Sequence, residues 1–259
     1  MKKILNVIAS ILLILAMVFL FLAIKEQLPF EKAKGENQAL KEIAVMETET
    51  DEPTGNDYFT RNIDFGALQS INPDIVAWIT VPNTNIDYPV LIGSDDTTYL
   101  NYNYNKEWSV LGSIFAFSDT AKDLSDAHIC LFGHNMASPQ MFGELRNYRN
   151  ADFANANRNF YIYTPKSVTE YEIFSIYDCI STDSTFLHKM NYDSKEFQEL
   201  ISHMQANNTI NMGTTVEEKK QIVTLSACSN YGTNPYRFTV NAVEKQKKIR
   251  SEIDGIISQ

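Results

Sequence analysis

The longest hydrophobic run in the chain lies at its start. After two lysines, residues 4–24 are apolar apart from Asn6 and Ser10. As a helix rising about 1.5 Å per residue, this run would cross a hydrocarbon core of about 30 Å. A cleaved signal peptide usually has a shorter apolar region and small residues before the cut, whereas the best-placed small residue here, Ala23, follows large ones. The pattern therefore predicts an uncleaved single-pass anchor in the cell membrane, with residues 1–3 in the cytoplasm and the rest of the chain outside.

The two segments after the anchor differ in hydrophobic content. Residues 25–57 are rich in charge and poor in large apolar residues, which predicts an extracytoplasmic tether with some helical content that adds nothing to the folded core. Apolar residues return at helical spacings in 58–71, which predicts a short helix before Asn72 and Pro73. The folded domain, 58–259, is expected to start at this change.

From residue 75 onward, short β-favouring runs alternate with polar turns. Eight such runs, few of them separated by long helices, predict a mostly β fold in which the strands form an eight-stranded, closed or nearly closed barrel. The charged C-terminal segment predicts a short solvated helix over 244–259. The predicted strands cover 75–81, 86–92, 112–117, 127–132, 159–164, 168–180, 221–228 and 236–243.

Two further helices are predicted within the barrel sequence. Residues 139–148 follow Ser138, which suits an N-cap, and begin with a proline, which suits a first helical turn. Residues 194–206, between the sixth and seventh strands, carry an apolar stripe at helical spacing, with Asp193 or Ser194 as the cap. That stripe predicts packing of the second helix onto the barrel.

The seventh and eighth strands form a predicted hairpin with one polar face. Because side chains alternate along a strand, Thr224, Ser226 and Cys228 share that face. Cys228 ends the seventh strand, just before the turn formers of 229–235, and the returning strand carries Arg237 near its start. The hairpin brings a thiol and a guanidinium together at its open end, which makes this end a candidate active site.

A thiol at this position needs a partner base. Free cysteines are more often small buried hydrophobes than nucleophiles, so Cys228 alone does not establish catalysis. Of the four histidines, His134 ends the apolar run of the fourth strand, but spacing alone does not bring it beside Cys228. Cys130 and Cys179 lie in apolar strand-like runs and are predicted core residues, and a disulfide between them stays open.

Composition narrows the classes of function. A formal net charge of −10 argues against nucleic acid as a partner. The three cysteines include no C-x-x-C pair, so the sequence indicates neither a disulfide framework nor a zinc site. No metal and no other cofactor is predicted.

Three separated motifs resemble the catalytic signature of the sortases, the membrane-anchored cysteine transpeptidases of Gram-positive bacteria. They are His134 after a glycine at a strand end, the run Thr-Leu-Ser-Ala-Cys at 224–228, and Arg237 on the next strand. The block 72–90, the run Gly-Ser-Ile-Phe at 112–115 and the inserted helix before the seventh strand are similar to the class B branch of this family. The resemblance implies the class B fold, an eight-stranded barrel with an N-terminal helix and a helix between strands 6 and 7.

The resemblance also implies the catalytic roles. Cys228 would be the nucleophile, and His134 would protonate the leaving amine and later deprotonate the incoming one. Arg237 would hold the substrate carbonyl or the developing oxyanion.

Four other residues are implied to contact the substrate, namely Ser226, Leu100, Asp96 and Ala227. Two of them depart from the family pattern. The family usually has threonine where this chain has Ala227, and often has asparagine where it has Asp96.

The function implied is cleavage of a C-terminal sorting signal, of the Asn/Leu/Ser-Pro-x-Thr-Gly/Asn type, after its threonine. The thioacyl group would then pass to an amine of a peptidoglycan precursor or of a pilin lysine. The partners implied are secreted proteins that carry such a signal, together with the membrane around the N-terminal helix. Two alternatives stay open: a cysteine peptidase or cell-wall hydrolase that uses water as acceptor, and a non-catalytic wall-binding domain.

Overall fold

The computed structural model describes residues 2–45, 58–228 and 235–251 and contains one closed eight-stranded barrel. The strands are β1 (Ile75–Thr80), β2 (Asp87–Leu91), β3 (Ile114–Ala116), β4 (His128–His134), β5 (Asn159–Tyr163), β6 (Ser167–Ile180), β7 (Ile222–Cys228) and β8 (Tyr236–Ile249). The α-helices are α1 (Lys2–Ala44), α2 (Phe65–Ile71), α3 (Thr98–Asn101), α4 (Ala151–Ala156) and α5 (Lys195–Asn207), and short 3-10 helices cover Gly143–Arg149 and Ser184–Phe186.

The order of strands places β7 between β4 and β8. Around the barrel the order is β1-β2-β3-β4-β7-β8-β6-β5, and β5 pairs with β1 to close it. Most neighbours are antiparallel, whereas β2 with β3 and β4 with β7 are parallel. A parallel pair requires a long crossover, and the chain from β5 through α5 supplies it between β4 and β7. The predicted eight-stranded barrel is confirmed.

The alternation predicted for the hairpin is also confirmed. Val223, Leu225 and Ala227 of β7 point into the barrel core and are at most 2% exposed. Phe238 and Val240 of β8 belong to the same interior cluster. The intervening polar residues therefore lie on the outer face of the barrel wall.

The helix predicted between strands 6 and 7 is confirmed as α5. Its N-cap is Ser194, whose hydroxyl oxygen accepts a hydrogen bond from the Phe197 amide at 3.2 Å. Phe197, Leu200 and Met204 are at most 2% exposed and pack in a cluster with residues of β6 and β7. The apolar stripe thus fixes α5 against the outside of the barrel.

The helix predicted at 139–148 is wrong. The chain instead forms the 3-10 helix Gly143–Arg149 and then α4, whose cap Asn150 accepts from the Phe153 amide at 3.0 Å. The Ser138 hydroxyl donates to the Gln140 side chain at 3.1 Å rather than to a helix end. Ser138 therefore makes a local hydrogen bond within a loop and does not cap a helix.

The predicted solvated helix at 244–259 is wrong over its described part. β8 continues to Ile249 and pairs with β6 as far as Ser167. Because one face of an antiparallel strand can face water, the alternating charges of this segment fit a strand as well as a helix. Residues 252–259 lie outside the described residues.

α1 is one continuous helix that covers both the predicted anchor and the described part of the predicted tether. Within the described chain it is the one helix long and apolar enough to cross a membrane. Its 43 residues extend to about 65 Å. One membrane span uses about half of that length, so the second half of α1 continues beyond it. Residues 46–57, the remainder of the predicted tether, lie outside the described part.

The second half of α1 packs onto the barrel. Leu40 and Ala44 are 0% exposed and share a core cluster with Trp78 of β1. The Glu36 backbone oxygen accepts from the Tyr104 hydroxyl at 3.0 Å. The expectation that 25–57 adds nothing to the core is therefore wrong, because a helix with a buried face contributes apolar area that a free tether would not.

A largely buried acid fixes α1 and the segment before α2 to β2. Asp87 pairs with Lys41 of α1 at 2.6 Å and accepts from both Arg61 amino groups at 2.6 and 2.9 Å. The Trp78 indole donates to the same carboxylate at 2.7 Å. Burial raises the pKa of Asp87, but Arg61 and Lys41 outweigh it and hold that pKa well below its usual range.

Candidate active site

The three residues predicted to carry the chemistry lie side by side at one end of the barrel. In the parallel β4–β7 pair, His134 is opposite Cys228. In the antiparallel β7–β8 pair, Cys228 is opposite Arg237. Neighbouring strands in a sheet lie about 5 Å apart. The backbone of Cys228 therefore has the His134 backbone about 5 Å away on one side and the Arg237 backbone about 5 Å away on the other. We call His134, Cys228 and Arg237 the catalytic row.

The barrel wall beneath the row is polar and buried. Thr224, Thr239 and Asn241 of the outer face are each 0% exposed. The Thr224 hydroxyl donates to the Asn241 side chain at 2.8 Å, which links β7 to β8. A cross-strand hydrogen bond between buried groups favours one register over its neighbours. This register is the one that brings Cys228 opposite Arg237.

His134 is held by a backbone carbonyl. Its Nε2 atom lies 2.6 Å from the Leu100 carbonyl oxygen. A carbonyl accepts and cannot donate, so Nε2 carries the proton of this hydrogen bond. The imidazole is thereby oriented by α3, and proton exchange with a substrate would go through Nδ1.

α3, which carries Leu100, is itself fixed from two sides. Tyr99 is 2% exposed, and its hydroxyl donates to Asp74 at 2.7 Å and accepts from the Asn72 amide at 2.9 Å. Asp95 accepts from the Thr98 amide at 2.7 Å just before the helix. These contacts hold a helix of four residues that has little stability of its own.

Gly112 touches the carbonyl that holds His134. Its φ of +56° is in the left-handed region, and a Cβ there would lie 2.4 Å from the Leu100 oxygen. Glycine is therefore required at this position both by the backbone conformation and by close approach. Gly112 belongs to the run at 112–115 that resembles the class B family, but its role depends on a contact that the spacing of residues does not reveal.

The chain after β4 is also stabilised close to the row. A Cβ at Gly133 would lie 2.4 Å from the Ile114 side chain, so the strand approaches β3 closely just before His134. One Arg146 nitrogen donates to the carbonyls of Met136 and Ala137 at 2.6 and 2.8 Å. Arg146 could not be identified from the sequence, since nothing in its spacing connects it with this loop.

The four residues predicted to contact substrate are placed in three different environments. Leu100 reaches the row through its carbonyl, as described above. Asp96 is exposed, and its carboxylate accepts from the Ser118 amide at 2.7 Å. Ser226 is 0% exposed, its hydroxyl has no partner among the described residues, and Ala227 is 2% exposed in the interior cluster. The structure does not bring Ser226 or Ala227 to an accessible surface.

The two other cysteines are core residues, as predicted. Cys130 and Cys179 are both buried free thiols, so the disulfide between them that the sequence left open is absent. Burial raises the pKa of Cys130 far above the usual range and that of Cys179 to about 12. A thiol that stays protonated is a poor nucleophile, so neither residue is suited to attack a substrate.

An apolar surface lies beside β4, next to the row. Phe132 of β4 contacts Phe117 and Phe186, with ring centroids 4.8 and 5.9 Å apart. His188 stacks on Phe117 at 4.2 Å, and Leu187 is 55% exposed. Rings and an exposed leucine together form a surface suited to apolar and proline side chains of a peptide.

Comparison with known proteins agrees with this geometry. The family model described as the sortase domain matches residues 79–245. Sortase B of Listeria monocytogenes is 30% identical over 219 residues, which cover 85% of this chain and 88% of that protein. The structure of a Staphylococcus aureus sortase B–substrate complex superimposes with a TM-score of 0.66 at 27% identity, over 70% of this chain and 84% of that one. A sortase B complexed with triglycine superimposes with a TM-score of 0.65 at 26% identity, over 70% and 85%.

Proposed function

The chain belongs to the sortase family, in its class B branch, and is a cysteine transpeptidase; on that premise we propose that the catalytic row transfers proteins from a C-terminal sorting signal to an amine. The observation that carries the proposal is the register that places Cys228 between His134 and Arg237. The three residues come from three adjacent strands, so their spacing is set by backbone hydrogen bonds. A site built on strands is held more precisely than one built on loops.

The first half-reaction forms a thioester. The Cys228 sulfur attacks the carbonyl carbon of the signal threonine, and the peptide bond after that threonine breaks. The leaving amine takes a proton from Nδ1 of His134, while Nε2 keeps its hydrogen bond to the Leu100 carbonyl. An unperturbed thiol has a pKa of about 8.5, and a neighbouring cation favours its thiolate.

The second half-reaction reverses the proton transfer. The incoming amine attacks the thioester carbon and gives its proton to His134, and the sulfur of Cys228 leaves. No net proton or electron is gained, so the cycle needs no cofactor. With water as the attacking group the same steps would give hydrolysis, so the acceptor decides between a transpeptidase and a peptidase.

Arg237 is suited to the negative charge that develops on the carbonyl oxygen. It is half-buried, and its Nη1 donates to the Tyr236 carbonyl at 2.9 Å. Guanidinium stays charged at every stage and presents several N–H groups in one plane. This geometry can stabilise the oxyanion while another N–H holds the backbone.

The sorting signal is proposed to lie along the apolar surface beside β4. Phe117, Phe132 and Leu187 would contact its leucine and proline. The relative from Staphylococcus aureus was solved as a substrate complex, which supports a peptide site in this fold. The sorting signal would be of the Leu-Pro-x-Thr-Gly or Asn-Pro-x-Thr-Asn/Gly type. Leu100 and Asp96 remain predicted substrate residues, whereas the buried Ser226 and Ala227 are not placed to touch a peptide.

The proposed topology is a single-pass anchor with the row outside the membrane. The apolar half of α1 is long enough for one span, and positive charge before it favours a cytoplasmic N-terminus. Domain limits follow: anchor at 4–24, an extracytoplasmic segment at 25–57 and a catalytic domain at 58–259. The acceptor is proposed to be an amine of the cell wall, in keeping with the relative complexed with triglycine, or a pilin lysine.

The test is a trapping experiment with a small library of sorting peptides. Peptide and enzyme are mixed with and without hydroxylamine, and products are identified by mass spectrometry. We expect Cys228→Ala and His134→Ala to abolish thioacyl formation, with the double variant little worse than either, because the two act as a unit. Cys130→Ala is the matched control, since it removes a buried thiol and leaves the row intact.

Three results would contradict the proposal. Cys228→Ala with more than about a tenth of wild-type turnover would remove the nucleophile from the mechanism, since loss of a catalytic nucleophile costs several orders of magnitude. Products that contain water and never the added amine would favour the peptidase alternative. A wild-type chain without selective reactivity at Cys228 would favour a non-catalytic wall-binding domain.

A further inference from the structure

A groove of about 1180 Å³ runs between α1 and the barrel and reaches His134. The α1 residues that line it recur every three or four positions, including Phe30, Lys34, Asn37 and Lys41. This spacing is one face of a helix. The groove therefore follows about 20 Å of α1 on a face adjacent to the one that packs on the barrel.

The barrel side of the groove combines amide groups with aromatic rings. Asn85, Asn101 and Gln140 line it, together with Tyr88 and Trp108. Trp108 is 64% exposed, an unusual position for the largest apolar side chain. Amide groups bind peptide bonds and sugar hydroxyls, and an exposed aromatic ring packs on either, so the lining suits a peptide or a peptide-bearing saccharide.

Gly35 lies in the lining without a structural requirement for glycine. Its Cβ would meet nothing within 4 Å, and its backbone is not in the left-handed region. A glycine in a helix interior costs about 1 kcal/mol relative to alanine. Gly35 is exposed at the edge of the groove-lining face, so its missing side chain leaves that edge open.

The groove approaches the catalytic row from the His134 side. Its described lining includes His134 and not Arg237. In the proposed reaction Arg237 contacts the acyl oxygen, whereas His134 exchanges protons with the leaving amine and with the incoming amine. A ligand in this groove is therefore placed to present an amine to Nδ1 of His134.

The part of α1 nearest His134 is also the part that directly follows the apolar run. Lys32 pairs with Glu107 at 3.8 Å, and Glu36 accepts from Asn103 at 3.0 Å, whereas Lys41 further along reaches β2. The chain near residue 103 follows α3, the helix that holds His134. The part of the groove beside His134 thus lies against the first turns of α1 after the apolar run.

From these observations we propose that the groove between α1 and the barrel binds the amine acceptor, a peptide-bearing saccharide of the cell wall that reaches His134 from the membrane side. This inference rests on the proposed function, because it assigns a site to the second substrate of that reaction. Trp108 and the amide groups would bind the acceptor, and α1 would form one wall of its site rather than serve as a spacer.

The test uses the full-length chain in detergent micelles, with one sorting peptide as donor and two acceptors. The first acceptor is a soluble disaccharide pentapeptide with a free amine, and the second is hydroxylamine, which is too small to need the groove. Gly35→Trp places a large ring at the open edge of the groove, where nothing lies within 4 Å of its Cβ, and Gly35→Ala is its matched control. Trp108→Ala removes the ring from the barrel side, and Trp108→Phe keeps an aromatic surface.

We expect Gly35→Trp and Trp108→Ala to lower kcat/KM for the disaccharide pentapeptide about tenfold. Transfer to hydroxylamine should stay at the wild-type rate. Gly35→Ala should behave as wild type, and Trp108→Phe, which keeps an aromatic ring, should lose less than Trp108→Ala. An equal loss of kcat/KM with both acceptors would mean that the groove serves the sorting peptide or the fold. Unchanged transfer to the disaccharide pentapeptide in Gly35→Trp would mean that this acceptor does not use the groove. Either result overturns the inference. A chain that yields no peptide hydroxamate with hydroxylamine forms no thioacyl intermediate and refutes the proposed function instead, which separates the two failures.

Discussion

Gly112→Ala tests the chain of contacts that positions the catalytic histidine. Gly112 has a φ of +56°, and its Cβ would approach the Leu100 oxygen to 2.4 Å and the Tyr99 oxygen to 2.8 Å. Contacts this short do not occur between real atoms, so the α3 backbone must move. The Leu100 oxygen is also the atom that holds Nε2 of His134 at 2.6 Å. The substitution therefore acts on catalysis through a residue that touches neither substrate.

The expected cost has two separable parts. The left-handed conformation costs an alanine about 1–2 kcal/mol. Relief of the contact adds a shift of about 1 Å at the carbonyl, and a misplacement of that size at a catalytic group can cost about 100-fold in rate. Gly213 provides the matched control, because it has a φ of +66° but nothing within 4 Å of its Cβ. Gly213→Ala should therefore lose stability without losing activity.

The assay compares both variants by thermal unfolding and by kcat/KM on one sorting peptide with saturating hydroxylamine. Both should unfold at lower temperature, by about 2–4 °C per kcal/mol for a domain of this size. Gly112→Ala should also lose 10- to 100-fold in kcat/KM, with a changed pH profile because the imidazole has lost its orienting acceptor. If Gly112→Ala keeps more than half of the wild-type kcat/KM, the Leu100 carbonyl does not position His134.

Three further substitutions address separate parts of the structure. Arg237→Lys should lose most transpeptidation although charge is kept, since a point donor replaces a planar fork; near wild-type turnover would leave Arg237 only an electrostatic role. Ala227→Thr should lower the free energy of unfolding by about 1–3 kcal/mol, because it adds volume and a hydroxyl to the packed interior, and a thermal shift measurement checks this. Burial lowers the pKa of His128 to about 4, so between about pH 4 and 6.5 the unfolded chain binds a proton that the folded chain does not. Stability should therefore fall as pH drops through that window, by about 3 kcal/mol in total, and His128→Asn should flatten this part of a pH series of urea unfolding curves.

The barrel was predictable because its signals are local. Runs of β-favouring residues between turn formers place all eight strands within a few residues, and the alternation on β7 identifies the interior residues. Where the signals were ambiguous, the prediction failed. Charged residues at 244–249 fit a solvated strand as well as a helix, and long pairing with β6 decided between the two.

That the three residues of the catalytic row lie together could be predicted from the sequence, but the groups that hold them in place could not. Cys228, His134 and Arg237 were identified from strand ends together with a family resemblance. The groups that fix them are a carbonyl at Leu100 and a close approach at Gly112, and neither leaves a pattern in the sequence. Backbone atoms are the same in every residue, so a role that depends on them becomes visible only when distant segments are brought together.

The same limit explains why the role of α1 was underestimated. A charged segment with scattered apolar residues has the composition of a tether. Its few apolar residues include Leu40 and Ala44, which recur at one-turn spacing and are fully buried, while the Lys41–Asp87 pair fixes the helix to β2. A helix that is continuous from the membrane span to the barrel cannot act as a flexible spacer. In the proposed topology it would hold the barrel at a set distance from the membrane, with the His134 end of the groove beside the first turns after the apolar run.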